Sequence, residues 1–201
     1  MNQIKSIIFD FGGVLIDWNP RYMYRDEFEE ISEMEHFLKE VCTDDWNLQQ
    51  DKGRTLAEGT RILQDEFPGH AEKIRLYYDQ WEKMIKSDIP QNVALLPKLK
   101  EKYKLYGLTN WSAETFPIAF NRYAFFQLFD GIVISGEEKL IKPDKKIFEL
   151  ILERYHLEAK NALFIDDNMN NIQSAKEMGF ATIHVKEKTD LKKELNTLGL
   201  I

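Results

Sequence analysis

Five short apolar runs along the chain have the composition of buried strands. They cover residues 4–10, 104–109, 131–135, 162–166 and 181–185, and a polar or glycine-containing turn follows each one. Apolar runs of this length are typical of parallel strands that are covered on both faces. Amphipathic segments of helical length lie between the later four runs, at about 113–120, 144–155 and 170–178, and a further helix is predicted over 92–103. This alternation predicts an α/β fold built on a doubly wound, Rossmann-like parallel sheet.

The stretch from about residue 19 to residue 90 has a different pattern. It shows no strand-like alternation and contains several helix starts. Asn19-Pro20 has the form of an N-cap followed by proline, and Ser32…Glu35 and Thr55…Glu58 have the spacing of capping boxes. The sequence therefore predicts a helical subdomain of residues 18–90, inserted into a core domain of residues 1–17 and 91–201.

Composition excludes several classes of protein. A net charge of −7 over 201 residues gives no basic surface for nucleic acid, although a local positive pocket for a small anion remains compatible with it. No apolar stretch approaches the roughly 20 residues of a membrane span. Cys42 is the single cysteine, so no internal disulfide can form, and a reducing compartment is expected. We expect a cytoplasmic protein without nucleic-acid or membrane partners, and the sequence predicts no oligomeric state.

The residues that close the predicted strands carry the candidate chemistry. In an open parallel sheet, ligands bind beyond the carboxyl ends of the strands, near the point where the strand order reverses. Carboxylates at this edge favour Mg²⁺, and a lysine with neutral donors suits phosphate oxygens. Carboxylates this close would repel one another unless a cation or a proton lay among them. The candidates are Asp10 with Gly12 and Gly13, Thr109 with Asn110, Lys142, and Asp166 with Asp167.

Four motifs in fixed order carry a resemblance to a known family. They are "DFGGV" from Asp10, "GLTNWS" around Thr109, "LIKPDKKIFEL" around Lys142, and "LFIDDNMNNIQSAKEMG" around Asp166 and Asp167. In this order the chain resembles the haloacid dehalogenase-like (HAD) hydrolases over nearly its full length. The residues within these motifs are similar to those of a family branch that contains sugar-phosphate phosphatases, among them α-D-glucose-1-phosphate phosphatase. A helical cap after the first strand is what that branch would have.

The resemblance implies a role for each residue that would face phosphate. Asp10 would attack phosphorus and form a transient aspartyl-phosphate, which water then hydrolyses. Lys142 would serve in catalysis and also bind phosphate, together with Thr109 and Asn110. Such groups neutralise and position the transferred phosphoryl group, which is most of what phosphoryl transfer requires. The implied activity is a Mg²⁺-dependent phosphatase that acts on a small phosphorylated metabolite, with a sugar phosphate as the expected substrate.

The resemblance also implies a Mg²⁺ site. Its ligands would be the Asp10 carboxylate, the main-chain carbonyl of Gly12 and the Asp167 carboxylate. Asp166 would be a further ligand or a partner of the ligands. Asn171 is a candidate for orienting this acidic loop.

One departure from the family pattern concerns proton transfer. The family's second Asp, which protonates the leaving alcohol and then activates water, is Gly12 here. Loss of a general acid/base typically lowers a rate by about 10²–10⁴-fold. Asp17 is a candidate substitute, but its position before the Asn19-Pro20 helix start favours a hinge or capping role.

Two other functions are compatible with the same residues. A haloacid dehalogenase would direct the nucleophile against carbon without a metal, and the Asp166-Asp167 pair argues against it. A module that binds phosphate and metal without turnover would explain Gly12, but it would have no need of Asp10 as a nucleophile.

Two sequence features of the inserted segment bear on its role. Its aromatic residues Tyr22, Tyr24, Trp46 and Trp81 are expected in the core. The turn at Gly53, flanked by Trp46, Gln50 and Arg54, is a candidate for reaching the active site.

Overall fold

The structure is a computed structural model that describes residues 3–201 of the chain. The strands are β1 Ser6–Phe9, β2 Ile16–Trp18, β3 Ile85–Asp88, β4 Lys104–Thr109, β5 Gly131–Ile134, β6 Ala162–Asp166 and β7 Ala181–His184. The α-helices are α1 Arg21–Tyr24, α2 Ile31–Glu40, α3 Asp44–Asp51, α4 Leu56–Glu66, α5 Ala71–Asp79, α6 Pro90–Val93, α7 Leu96–Lys100, α8 Phe116–Arg122, α9 Ser135–Glu138, α10 Lys145–Arg154, α11 Met169–Glu177 and α12 Leu191–Thr197. Short 3-10 helices cover Pro68–His70, Trp81–Met84, Ala124–Leu128 and Ala159–Asn161.

Five parallel strands form the main sheet in the order β5-β4-β1-β6-β7. Starting from the central β1, the chain adds β4 and β5 on one side and then β6 and β7 on the other. The direction of winding therefore reverses between β1 and β6, which are neighbours in register from Ser6↔Ala162 to Phe9↔Ile165. The predicted doubly wound α/β fold is confirmed, and all five predicted strands are present.

Helices cover both faces of this sheet, as its apolar strands require. Because side chains alternate along a strand, Ile7 and Phe9 join one buried cluster, and Ile8 joins the other. Ile147, Phe148 and Ile151 of α10 pack in the cluster of Ile8, while Leu96, Leu99, Phe116, Leu191 and Leu195 pack in the cluster of Ile7. Full burial of one such side chain contributes about 1.5–3 kcal/mol, so the two clusters hold the central strands in place.

The predicted helix starts have different outcomes. Pro20 is the N-cap residue of α1 and not its first helical residue, although Asn19 Oδ1 accepts from the Arg21 N–H at 3.0 Å. The Thr55 hydroxyl accepts from the Glu58 N–H, as the capping box predicts. Ser32 is not an N-cap, because the helix begins at Ile31 with Glu30 as its extended N-cap residue. The predicted helix over 92–103 is instead α6 and α7, because Pro97 cannot continue a helix but fits the first turn of a new one.

An antiparallel ribbon of β2 and β3 connects the main sheet to the five helices α1–α5. The sequence pattern missed β3, which has only four residues and is buried only at Ile85. The predicted boundary at residue 18 falls within β2, since that strand runs from Ile16 to Trp18. Among residues 3–201, no helix has the length and apolar character needed to cross a membrane.

Candidate active site

The candidate site lies where the winding of the sheet reverses. Asp10 directly follows β1, and Asp166 is the last residue of the neighbouring β6. The Asp10 N–H donates to the Ile165 carbonyl at 2.8 Å, which extends the strand pairing to the carboxylate. Both side chains are buried, with Asp10 8% exposed and Asp166 fully buried. The sheet thus brings together two carboxylates that are 156 positions apart in the sequence, from 10 to 166.

Lys142 joins these carboxylates from the opposite side of β1. Its ammonium lies 3.1 Å from Asp10 Oδ1 and 2.7 Å from Asp166 Oδ2, and it donates to the Leu108 carbonyl at 2.8 Å. These three acceptors match the three donors of an ammonium group. The Lys142 side chain has no exposed surface, so its charge is fixed at this position.

Asn110 holds the backbone of Lys142 in place. Its Oδ1 accepts from the Lys142 N–H at 2.8 Å, and its Nδ2 donates to the Lys142 carbonyl at 2.9 Å. An amide nitrogen has two hydrogens, so Nδ2 keeps one donor beyond this pairing. Thr109 is buried at the end of β4, beside β1. Their binding of phosphate stays a prediction.

The acidic loop after β6 is fixed by its own amides. Asp166 Oδ1 accepts from the Asn168 N–H at 2.7 Å, and Asn171 Nδ2 lies 3.0 and 3.1 Å from the two Asp166 oxygens. With Lys142 added, both oxygens of Asp166 already have donors. Asp167, by contrast, is exposed and carries the second carboxylate of the pair. This arrangement suits Asp166 as the partner that orders the loop and leaves Asp167 for a ligand.

The electrostatics of the cluster favour a cation. Burial raises the pKa of Asp10 to about 7, Lys142 opposes this shift, and the charges of Asp166 and Asp167 add to it. Although Asp167 as a residue is exposed, partial desolvation of its carboxyl group, which lies against the Gly13 backbone, raises its pKa, and the charge of Asp166 adds to the shift. For Lys142 burial acts against the charge, but Asp10 and Asp166 outweigh it and raise the pKa of the ammonium. Three carboxylates and one ammonium leave a formal charge of −2, which a divalent ion would balance.

The donor set fits Mg²⁺. One carboxylate oxygen from each of Asp10, Asp166 and Asp167 lies within 4.8 Å of the others. Oxygen ligands of this kind are those that Mg²⁺ takes in proteins. Gly13 makes the cluster possible, because its φ of +65° favours glycine and a Cβ there would lie 2.2 Å from Asp167 Oδ2. Asp10 and Asp167 are therefore the carboxylates that would hold the ion, and the Gly12 carbonyl stays a predicted ligand.

A cavity of about 90 Å³ opens above Asp10, between the main sheet and the inserted segment. Asp10, Gly12, Asn110, Trp111, Ser112 and Thr115 line it from the core side, and Trp18, Asn47, Asp51, Tyr78 and Trp81 line it from the inserted segment and its ribbon. Of this second set, the sequence indicates only Trp81, for which it predicts a core position. The Gly53 turn is the sequence signal closest to Asn47 and Asp51, since it directly follows α3, which carries both.

The residues that flank the Gly53 turn, Trp46, Gln50 and Arg54, do not line this cavity. Trp46 and Gln50 are buried within the inserted segment, and Arg54 donates to Gln50 Oε1 at 2.6 Å. Asp17 lies outside the cavity, on β2, and its carboxylate accepts from the Tyr22 hydroxyl at 2.8 Å. Of the four aromatic residues expected in the core, Tyr24, Trp46 and Trp81 are buried, and Tyr22 is 37% exposed.

Comparison with known proteins agrees with this geometry. Residues 7–185 match the family described as haloacid dehalogenase-like hydrolase. The chain belongs to this family. The matched range begins in β1 and ends just after β7, so it includes all five strands of the main sheet and every candidate site residue.

Three relatives describe what the chain is similar to. The sesquiterpene phosphatase astK of Aspergillus oryzae is 28% identical, and the match covers 96% of each chain. The D-ribitol-5-phosphate phosphatase of Bacteroides thetaiotaomicron is 24% identical, over 98% of each chain. A HAD family enzyme of Bacteroides thetaiotaomicron, crystallised with magnesium and inorganic phosphate, is 26% identical with a TM-score of 0.72, over 95% of this chain and 98% of that one. The family and these relatives support a hydrolase that acts on phosphate esters.

Proposed function

We propose that the protein is a Mg²⁺-dependent phosphatase that hydrolyses a small phosphorylated metabolite through an aspartyl-phosphate on Asp10. The observation that carries this proposal is the position of Asp10, at the floor of a cavity and in contact with Lys142. The solved relative that holds magnesium and inorganic phosphate supports the choice of metal and ligand. When bound, Mg²⁺ would neutralise charge on the phosphoryl oxygens.

The residues of the chain would divide the chemistry between them. An oxygen of Asp10 bonds to phosphorus as the bond between phosphorus and the alcohol oxygen breaks, and water then releases phosphate from Asp10. Lys142 keeps Asp10 oriented and adds positive charge beside the phosphoryl group. The remaining Asn110 donor and the Thr109 hydroxyl would bind phosphoryl oxygens. Asp10, Asp167 and the Gly12 carbonyl would hold Mg²⁺, with Asp166 behind them.

Residues 18–90 would act as a cap that selects the substrate, because they supply one side of the cavity. A sugar phosphate is our first choice, supported by relatives named as D-ribitol-5-phosphate phosphatase and as phosphorylated carbohydrates phosphatase. The aromatic wall of Trp18, Tyr78 and Trp81 gives a second choice, a phosphate ester of an apolar alcohol. The relative named as a sesquiterpene phosphatase supports that second choice. In either case the protein would act in the cytoplasm, with neither nucleic acid nor membrane as a partner.

Phosphate release from a panel of esters tests the proposal. The panel holds sugar phosphates, a terpenyl phosphate and an aryl phosphate, and 2-chloropropionate serves as the dehalogenase substrate. We expect phosphate release with Mg²⁺ and none with a chelator, and no chloride release in either condition. Chloride release without metal would favour the dehalogenase alternative, and Mg²⁺ binding without release from any ester would favour the binding module.

A further inference from the structure

Among residues 3–201, Asp10 is the only carboxylic acid that lines the core side of the cavity, so the core offers no second carboxyl group to protonate the leaving alcohol. Gly12 lies two residues after Asp10, and a Cβ built on Gly12 would have no neighbouring atom within 4 Å. Lys142 already donates to three acceptors, and Asp166 already accepts from Lys142, Asn168 and Asn171. An alkoxide leaves poorly unless a proton reaches it, so another group must supply that proton.

Asp51 is the other carboxylic acid on the wall of this cavity. It is the last residue of α3, and it lines the cavity together with Asp10 and Gly12. Its Oδ2 accepts from Asn47 Nδ2 at 3.2 Å, and the backbone N–H of Ser112 faces the carboxylate from the core. Arg54, three residues further on, donates to Gln50 and to the Trp46 carbonyl instead. Asp51 therefore faces the cavity as an acid whose neighbours here are neutral.

A chain of hydrogen bonds within the inserted segment orients this acid. Gln50 Nε2 donates to the Tyr78 hydroxyl at 2.8 Å, and that hydroxyl donates to Asn47 Oδ1 at 2.9 Å. The Asn47 amide then donates to Asp51. Gln50 is fully buried, so the first member of this chain is fixed by packing.

Contacts with the core hold Asp51 over the site. The Ser135 hydroxyl, at the start of α9, donates to the Asp51 carbonyl. Gly53, with a φ of +103°, lies against the same helix, because a Cβ there would be 3.0 Å from the Gly136 carbonyl oxygen. The end of α3 is thus attached to the carboxyl edge of the main sheet, the edge from which Asp10 faces the cavity.

We propose that Asp51 is the general acid and base of the reaction, in place of the carboxylic acid that Gly12 lacks. The assignment rests on the proposed phosphatase function. In the first step Asp10 bonds to phosphorus, the bond to the alcohol oxygen breaks, and the Asp51 proton passes to that oxygen to give the free alcohol. In the second step the Asp51 carboxylate takes a proton from the water that attacks phosphorus, Asp10 is released, and inorganic phosphate forms.

The protonation of Asp51 agrees with this role. Burial raises the pKa of Asp51 to about 7, and the Ser112 N–H opposes the shift. An acid with a pKa near neutrality can both give and take a proton. The titratable groups beside it are the phenols of Tyr77 and Tyr78, whose pKa burial raises well above the ordinary value, and Asp10 faces the same cavity.

Leaving-group dependence tests the assignment. The Asp51→Asn variant and the wild type are compared on a series from dinitrophenyl phosphate, whose leaving group needs no proton, to phenyl phosphate, whose leaving group does. We expect kcat/KM of the variant to fall about 10²–10⁴-fold on phenyl phosphate and less than about tenfold on dinitrophenyl phosphate. Asp45→Asn, the same change at an exposed position of α3, is the matched control and should match the wild type.

A second variant separates proton transfer from structural damage. Gly12 has room for a side chain, so Gly12→Asp can be combined with Asp51→Asn. The double variant should have a kcat/KM on phenyl phosphate at least about tenfold higher than that of Asp51→Asn. If Asp51→Asn fails to fold, Asp51→Ala with added formate replaces it, and formate should raise its activity on phenyl phosphate.

Three results distinguish failure of the Asp51 assignment from failure of the proposed phosphatase function. An equal loss across the series, or no loss, would overturn the role of Asp51 while the phosphatase function stands. Failure of both Gly12→Asp and formate to restore activity would overturn it as well. If the wild type releases no phosphate from any member of the series, the proposed function itself fails and the assignment to Asp51 falls with it.

Discussion

Lys142 connects the stability of this protein with its proposed chemistry. Its ammonium lies among two carboxylates and a carbonyl without any exposed surface. A buried charge of this kind is tolerated only when its partners are present, because removal of one partner leaves the others uncompensated. The lysine therefore maintains the position of Asp10 and also supplies charge to the site.

Replacement of Lys142 should damage folding as well as activity. We expect Lys142→Met to lower the free energy of unfolding by about 3–5 kcal/mol, since Asp10 and Asp166 would stay buried without their cation. Urea denaturation at pH 7 measures the change. Lys145→Met removes an exposed ion pair with Glu177 and should leave the free energy of unfolding nearly unchanged. Similar losses in the two variants would contradict the role of Lys142.

A second prediction for a single residue concerns Gly13. Gly13→Ala adds the strain of a φ of +65° and places a methyl group at the position of the Asp167 carboxylate. Gly199 has a φ of +70° with open space around its Cβ, so Gly199→Ala should show the strain alone, about 1–2 kcal/mol or less. We expect Gly13→Ala to cost more than Gly199→Ala and to weaken Mg²⁺ binding, measured by urea denaturation and calorimetric titration. Equal Mg²⁺ affinity in the two variants would show that Asp167 does not bind the ion.

The sequence could indicate the core part of the site because each candidate there ends a strand. Asp10 and Asp166 each follow an apolar run, so a parallel sheet places them at one edge, and the structure has them there. Asp51 had no such signal. It lies at the end of a polar helix, and only the packing of that helix on α9 brings it to the cavity.

At the scale of elements, the contact between α3 and α9 decides whether the inserted segment completes the cavity. The Ser135 hydroxyl accepts from the Trp111 N–H at 2.9 Å and donates to the Asp51 carbonyl at the end of α3. One side chain therefore joins the loop after β4 to the inserted segment.

Loss of this hydroxyl should loosen α3 selectively. We expect Ser135→Ala to cost about 1–3 kcal/mol, because the buried Trp111 N–H and the partly buried Asp51 carbonyl lose their partner. Hydrogen exchange of the α3 amides should accelerate more than exchange in the main sheet. Ser174→Ala is the control, since it removes a hydrogen bond to the Pro143 carbonyl within the core. Unchanged α3 exchange in Ser135→Ala would show that this contact does not hold the segment.

Elements differ in how far the sequence predicts them. The five strands of the main sheet were predictable since their apolar runs are bounded by polar turns. Strand β3 was not, because it has only four residues and forms by pairing with β2 after the chain returns from the inserted helices. The split of the predicted 92–103 helix follows from Pro97, because proline fits the first turn of a helix but cannot continue one.

At the scale of the whole molecule, the cavity forms between two parts of the chain that the sequence separates. Its floor comes from the ends of β1 and β4, and its opposite wall comes from α3, Tyr78 and Trp81. Ordered motifs were enough to predict the residues of the floor, and with them a phosphate-ester hydrolase, which the family and its relatives support. The wall depends on tertiary packing between distant segments, so the sequence did not indicate the substrate.

The measurement that tests the central claim most directly is phosphate release by Asp10→Asn. The amide keeps the shape of the side chain and removes the nucleophilic oxygen, so the variant should fold and lose at least about 10³-fold in kcat with Mg²⁺ present. The wild type with Mg²⁺ and the wild type with a chelator are the two references, and thermal melting checks the fold. Phosphate release by Asp10→Asn within about tenfold of the wild type would contradict the account, because Asp10 would then not be the nucleophile.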